Sequence, residues 1–194
     1  MPRARLDTAT VIRAAAELAD ERGLDGVSFT ALAARLGVRG PSLYHHVAGP
    51  AALRRAIASL AFTELADRLS RATIGKARDE AVYALAEAFR DYVRAHPGRY
   101  AATVPAPPPE DRELARASRE VLRVVLAVLA GYGISGPDAV HATRQLRAAM
   151  HGFATLESAG AFGAPIDFDE SFRRLIATVI AGALRPAAGS SSLS

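Results

Sequence analysis

Apolar residues recur every three or four positions along most of the chain. This period places side chains on one face of an α-helix, where they can be buried together. Glycine, proline and capping residues interrupt the pattern at intervals typical of helix ends. No strand pattern and no internal repeat stands out. The sequence therefore predicts an all-α protein.

The predicted helices have recognisable signals at their ends. Asp7 or Thr8 can cap the first helix and Gly23 can close it, while Pro97 with Gly98 is expected to end the helix predicted over 76–96. Asp167 and Glu170 form a possible capping box for the last helix. The long helices are predicted over residues 8–22, from 50 to the break at 74, and over 76–96, 110–130, 137–160 and 168–184.

Two shorter helices with a tight turn are predicted within the stretch SFTALAARLGVRGPSLYHHV, residues 28–47. Ser28 is a good N-cap, and Gly37 stands where a helix ends in the left-handed conformation. Pro41 can occupy the first turn of the second helix, and Leu43 and Val47 repeat at the i, i+4 spacing of a buried stripe. The remaining face is polar and lacks acidic side chains. This arrangement is typical of a helix-turn-helix and its recognition helix.

The run ALAARLGVRGPSLYHHV, followed by AALRRAIA, resembles the DNA-binding half of the tetracycline-repressor (TetR) family of bacterial regulators. The resemblance implies a recognition helix whose small hydroxyl residue and aromatic residues meet phosphates or bases. It assigns DNA contacts to Thr30, Ser42, Tyr44, His45 and His46. Arg39 and Gly40 lead into the second helix and are further candidates for DNA binding from the sequence itself. Many members have Lys or Gln at the position of Gly40 and Lys at that of Pro50, so we expect nearby arginines to compensate: Arg39, and Arg54 or Arg55.

The resemblance also implies a larger C-terminal domain that binds a ligand and forms a homodimer. The segment RAAMHGFATLESAGAFG is similar to the His-Gly-containing penultimate helix of one TetR subgroup, although Met150 replaces its usual tryptophan. We therefore expect a DNA-binding domain at 1–50, a ligand and dimerisation domain at 51–186, and a disordered tail at 187–194. An apolar effector is expected to release a repressor from a palindromic operator. Candidate lining residues are Phe62, Phe89, Tyr92, Tyr100, Leu126, His151 and Phe153.

The last two predicted helices carry more apolar residues than one chain can easily bury. Pairing them with a second copy around a two-fold axis would cover the surplus in a four-helix interface. The residues concerned are Ala142, Leu146, Ala149, Met150, Phe153 and Leu156 in one helix, and Phe172, Leu175, Ile176, Val179, Ile180 and Ala183 in the other. The sequence thus predicts a homodimer.

Composition narrows the remaining classes of function. The chain has no cysteine, a formal net charge of +4 and no apolar run as long as a membrane span, so an intracellular, cytoplasmic protein without disulfides is expected. His141 and His151 are ten positions apart, which does not favour a metal site, and no cofactor is expected. The sequence contains no nucleophile elbow, no HExxH motif and no phosphate loop, so no motif predicts an enzyme. The alternatives are a helical carrier or enzyme that uses a C-terminal cavity, and a pure interaction module.

Overall fold

The computed structural model describes residues 6–184, and within that range the protein is helical without a strand. The all-α prediction is confirmed. The helices are α1 (Thr8–Arg22), α2 (Phe29–Leu36), α3 (Gly40–Leu43), α4 (Pro50–Thr73), α5 (Arg78–Ala95), α6 (Pro97–Ala101), α7 (Arg112–Ala130), α8 (Gly136–Ser158) and α9 (Phe168–Val179). A 3₁₀ turn spans Leu24–Gly26, and a π-helical turn, Ile180–Leu184, follows α9. The tail predicted at 187–194 lies outside the described residues.

The chain divides into two compact units. The first comprises Met1–Leu65 with Ala95–Val121, and the second comprises Ala66–Arg94 with Leu122–Ser194. No helix among residues 6–184 is long and apolar enough to cross a membrane. The predicted division at residue 50 is one of function, whereas this division is one of packing, so the functional boundary stays a prediction.

Helix α1 has the predicted bounds because both of its ends are capped as the sequence suggests. The Asp7 carboxylate accepts a hydrogen bond from the Thr10 backbone N–H at 2.7 Å, and that bond is the main cause that lowers the pKa of Asp7. Gly23 follows the helix with φ 76°, a backbone angle that favours glycine. The buried stripe of α1, which includes Val11 and Leu18, forms part of the core of the first unit.

The short helix α6 corrects the prediction that Pro97 and Gly98 only end a helix. Pro97 instead occupies the first turn of α6, where its missing N–H costs nothing. Gly98 is buried against α1, so closely that a Cβ there would overlap the backbone oxygen of Ala19. Glycine is therefore required for the close approach of two backbones rather than for a turn.

One carboxylate fastens α6 to α1 within the first unit. Asp20 accepts a hydrogen bond from the backbone N–H of Arg99 at 2.9 Å, pairs with the Arg99 Nε at 2.9 Å, and lies 3.0 Å from the His96 Nδ1. The Arg99 guanidinium also reaches Glu64 of α4 at 3.1 Å. The side chains of Asp20 and Arg99 are only 14% and 13% exposed. These bonds explain why α6 has a fixed position on α1.

In the second unit, a buried arginine joins three helices. Arg90 of α5 makes two hydrogen bonds of 2.6 Å to Glu157 of α8 and one of 2.8 Å to Asp169 of α9. Its guanidinium lies 5.4 Å and 5.1 Å from the ring centroids of Phe153 and Phe172. Hydrogen bonding to Glu157 raises the pKa of Arg90 against the opposing effect of burial, so the cation stays charged.

The start of α9 follows the predicted signal in part. The Asp167 carboxylate accepts hydrogen bonds from the backbone N–H groups of Asp169 and Glu170, at 2.8 and 3.4 Å. The return bond of a capping box is missing, because the Glu170 side chain pairs with Arg174 at 2.8 Å instead. Asp167 is therefore an N-cap without the reciprocal bond.

Candidate nucleic-acid interface and cavities

The turn between α2 and α3 forms as the sequence predicts. The Ser28 hydroxyl accepts the Ala31 N–H at 3.1 Å, which caps α2. Gly37 follows α2 in the left-handed conformation, with φ 64° and ψ 32°. The Val38 N–H then bonds to the Ala33 carbonyl at 3.0 Å, which turns the chain toward α3. Helices α2 and α3 with this turn make up the helix-turn-helix.

The second helix of this motif is shorter than expected. It was predicted to run to Val47, but α3 ends at Leu43, and residues 44–46 form a turn. Tyr44 N–H bonds to the Pro41 carbonyl at 3.3 Å and His46 N–H to the Leu43 carbonyl at 2.9 Å, both over three residues. This tighter pattern is common where a helix ends. Leu43 and Val47 are nevertheless buried, as the stripe predicted.

The Tyr44 side chain projects from this turn and is supported by a second aromatic ring. Tyr44 is 60% exposed, yet its ring lies 4.7 Å from the ring of Phe29, centroid to centroid, at an interplanar angle of 31°. Sequence reasoning missed Phe29; an aromatic residue directly after the N-cap Ser28 was the available signal. The contact orients the Tyr44 ring while leaving it accessible.

The two histidines of the turn have different surroundings. His45 is exposed and makes no hydrogen bond among the described residues. His46 is half-buried, and its Nδ1 lies 3.3 Å from the hydroxyl of Thr8, the first residue of α1. The turn is thus connected to the start of α1, and His45 stays free to meet a partner.

The other predicted DNA-binding residues lie on α2, on α3 or at the cap of α3. Thr30 is exposed on α2, while Gly40 and Ser42 are half-buried on α3. Arg39 is the exposed N-cap residue of α3, and its side chain has no hydrogen bond within residues 6–184. Because α2, α3 and the turn after α3 follow one another closely in the chain, the predicted residues lie in one part of the first unit. Their role in binding stays a prediction.

Two arginines that were expected to supply phosphate contacts are already paired with acids. Arg54 contacts Asp25 at 2.9 Å, while Arg55 contacts Asp111 at 2.6 Å and Glu113 at 3.4 Å. A phosphate would have to displace these carboxylates. The cost is small for an exposed pair such as Arg54 with Asp25, about 0–1 kcal/mol.

The seven predicted ligand-lining residues are divided between the two units. Phe62 and Tyr100 belong to the first unit, where Phe62 packs with Ala58 and Leu114 in a buried cluster. The second unit contains the buried Phe89 and Tyr92, the more exposed Leu126, and the half-buried His151 and Phe153. None of the seven lines the cavity between α5 and α9, the cavity beside Tyr132, or the cavity between α1 and α4. Their role as ligand contacts stays a prediction.

Cavities also lie within the described part of the second unit. One of about 270 Å³ lies between α5 and α9 and is strongly charged, with Arg90, Arg94 and Arg173 facing acids such as Glu87. Another, of about 460 Å³, is lined by residues that include Tyr132. Within residues 6–184, no three His, Cys, Asp or Glu side chains are grouped as metal ligands.

Two family models match the chain. Residues 11–57 match "Bacterial regulatory proteins, tetR family", and residues 82–179 match "Tetracyclin repressor-like, C-terminal domain". The first range includes the helix-turn-helix, and the second covers about half of the chain.

Curated relatives and solved structures point in the same direction. The chain is 37% identical over 180 residues to an uncharacterized HTH-type transcriptional regulator of Mycobacterium tuberculosis. The matched region covers 92% of this chain and 82% of the relative. It is 36% identical over 183 residues to an uncharacterized HTH-type transcriptional regulator of Bacillus subtilis, with 94% and 95% covered. A TetR variant from Acinetobacter baumannii AYE, solved in complex with minocycline, is 26% identical with a TM-score of 0.70, covering 92% of this chain and 96% of that one.

Proposed function

The chain belongs to the TetR family of bacterial regulatory proteins, and on that premise we propose that it is a homodimeric repressor released from a palindromic operator by a small apolar ligand. It is a DNA-binding transcriptional regulator, as its relatives are named. Family members bind operator DNA as dimers with small-molecule effectors. Since this is a family of regulators, we assign the chain a binding function without a reaction, exercised in the cytoplasm.

The observation that carries the proposal is the exposed turn after α3. Tyr44 and His45 project from it, and Phe29 orients the Tyr44 ring. A helix-turn-helix presents the start of its second helix to the major groove. The phenol hydroxyl and the imidazole can then donate hydrogen bonds to phosphate oxygens or to base edges. Arg39, unpaired within the described residues, supplies a cation at the other end of this four-residue helix.

We propose that the dimer forms through α8 and α9. Of the twelve apolar residues counted there from the sequence, six are buried within the chain itself: Ala142, Leu146, Met150, Phe172, Ile176 and Ile180. The other six keep surface, including Leu156, which is 48% exposed, and the half-buried Leu175 and Val179. Apolar patches of several hundred Å² rarely stay uncovered on a monomer, and a second copy would cover this one.

Helix α4 is the proposed connection between ligand and operator. It is one helix from Pro50 to Thr73, and its residues belong to both compact units. An effector that binds better to the form that does not bind DNA shifts the population away from the operator. A coupling of about 1–3 kcal/mol corresponds to a change in affinity of about 5-fold to 150-fold. Linkage requires that saturating operator weakens effector binding by the same factor.

A fluorescence-anisotropy titration with DNA from upstream of the chain's own gene tests this function. We expect specific binding, weakened in Tyr44→Ala and His45→Ala by about 1–3 kcal/mol for each lost base contact and by less for a phosphate contact. Phe29→Leu should weaken binding as well, because the Tyr44 ring loses its support. His141→Ala, at an exposed histidine of the second unit, is the control and should bind like the wild type. Unchanged titration curves for both Tyr44→Ala and His45→Ala would contradict the assigned surface.

A further inference from the structure

We propose that the first unit contains a second ligand site, which binds a small amphipathic carboxylate beside the turn of residues 44–46, here called the recognition turn. The site goes beyond the proposed function, which places the effector among the helices of the C-terminal domain. Its basis is a cavity of about 510 Å³ formed by the start of α1, residues 46–48, α4 and the start of α7. Ligand cavities of proteins usually measure about 300–1,000 Å³.

The cavity has an apolar trough along α4. Ala52, Ala56 and Ser59 line it at spacings of four and three residues, so that small side chains follow one another on one helix face. Ile12 of α1 and Leu60 of α4 are half-buried and contribute larger apolar walls. This surface can accept an alkyl chain or a flat ring, because burial of apolar area from water drives such binding.

A cation without a carboxylate partner borders the trough. The exposed Arg13 has one hydrogen bond among the described residues, a long one of 3.5 Å to the Thr10 hydroxyl. His46 lines the same cavity as Arg13. The Asp7 carboxylate is engaged by the Thr10 N–H and forms no ion pair with Arg13. An anionic group from outside therefore finds an available guanidinium.

The other arginine of the cavity does not compete for such an anion. Arg55 is neutralised by Asp111 and Glu113 at 2.6 and 3.4 Å. The available charge is consequently positive and lies at Arg13, while the remaining lining is apolar or neutral apart from Arg55 and Glu113. This distribution favours an amphipathic carboxylate over a neutral or a cationic molecule of the same size.

A ligand in this cavity would act on the DNA-binding surface directly. His46 belongs to the recognition turn and the buried Val47 directly follows it, and both residues line the cavity. Displacing the His46 ring from Thr8 would alter how the turn is held against α1. We therefore expect occupation of the cavity and binding of the operator to weaken each other by the same factor.

Isothermal titration of the full chain with decanoate is the test. We expect one decanoate per chain, with an affinity that falls about fourfold for each methylene removed on going to hexanoate. Ala56→Phe fills the trough and should abolish binding, while Arg13→Gln should weaken binding at least about fivefold, the size of a partly exposed ionic hydrogen bond. Decanol and decylamine should bind the wild type more weakly than decanoate.

Two substitutions on α4 outside the cavity serve as matched controls. Ser70→Phe and Arg68→Gln introduce the same side chains at exposed positions and should leave decanoate binding unchanged. Circular dichroism verifies that each variant is folded, and Arg13→Gln keeps the test valid if Ala56→Phe does not fold. Wild-type decanoate affinity in both Arg13→Gln and a folded Ala56→Phe would overturn the proposal, because the carboxylate would then bind elsewhere.

Operator titrations of the ligand-free wild type separate this site from the proposed function. If the chain binds decanoate but no operator, the proposed regulatory function is contradicted while the proposed ligand site is kept. Operator binding without any decanoate binding would contradict the cavity alone. If sedimentation shows that Ala56→Phe abolishes self-association instead, the trough belongs to a second copy of the chain and the ligand site is refuted.

Discussion

Replacing Arg90 by methionine measures how far the second unit depends on one buried cation. The side chains of Arg90 and Glu157 are 7% and 8% exposed, so both charges of the pair have left water. Methionine keeps an unbranched apolar stem of similar length between the rings of Phe153 and Phe172. The substitution therefore removes mainly the charge and its three hydrogen bonds.

The expected loss follows from which partner is left behind. Glu157 would remain buried without its cation, and breaking a buried pair in this way costs about 3–5 kcal/mol. Asp169 is 83% exposed and returns to water, so its share is at most about 1 kcal/mol. Arg94 lies 3.8 Å from Glu157 and can partly replace the lost charge. We therefore expect a loss near the lower end, about 3 kcal/mol, against a typical total of about 5–15 kcal/mol.

Urea unfolding at pH 7, followed by circular dichroism at one fixed protein concentration, checks the value because dimer stability depends on concentration. The pKa of Arg90 is raised, so the guanidinium is fully charged at pH 7 and its contribution is lost only as the pH rises through the arginine range.

A double-mutant cycle distinguishes an uncompensated charge from lost packing. Arg90→Met with Glu157→Met should recover most of the stability, since apolar replacements of buried pairs are neutral or stabilising by about 1–4 kcal/mol. Asp169→Asn is the control and should cost little. If the losses of the two single variants simply add in the double variant, or if Arg90→Met unfolds like the wild type, the reasoning is refuted.

Three further outcomes are expected. Gly98→Ala should destabilise the chain by about 1–3 kcal/mol or more in urea unfolding, because the new Cβ meets a backbone atom, whereas Gly163→Ala, with open space around it, should not. The pKa of Asp7 is lowered, so any excess thermal stability over Asp7→Asn should be present at pH 6 and vanish as the pH falls below about 4; an excess that persists at pH 2 would contradict the cap charge. Leu175→Arg should give a monomer or an aggregate in sedimentation, while Ile74→Arg, at a residue 72% exposed, should stay a dimer; a dimeric Leu175→Arg would place the interface elsewhere.

Sequence reasoning succeeded where the determinants of structure are local. Helix α1 has its predicted bounds because the Asp7 cap and Gly23 act within a few residues of the helix they limit. Ser28 and Gly37 did the same for α2. The end of α3 was missed because the stripe of Leu43 and Val47 fits a helix and a tight turn equally well. The low helix propensity of the Tyr-His-His run between them favours the turn.

Long-range pairs were beyond the reach of local patterns. Arg90 lies on a helix that was interpreted through its apolar residues, and its partners Glu157 and Asp169 are 67 and 79 positions away. A glycine after a proline is typical of a helix end, and only the close approach of Gly98 to the backbone of Ala19 shows its actual role. The residues expected to line a ligand pocket suffered from the same ambiguity, because an apolar helix position looks alike in a core and in a cavity wall.

The attachment of α6 to α1 has a consequence for building hybrid regulators. A designer who joins residues 1–50 to a foreign sensor takes the Asp20 carboxylate and leaves its partners behind. These are the His96 ring and the backbone N–H of Arg99, which bond to it, and the Arg99 guanidinium, which forms an ion pair with it. The backbone of Ala19 also loses the glycine that fits against it. Such a graft carries a carboxylate that has lost its hydrogen-bond donors and a face of α1 that α6 no longer covers. Chimeras that carry residues 95–121 along with the head should therefore express and fold where the shorter graft aggregates.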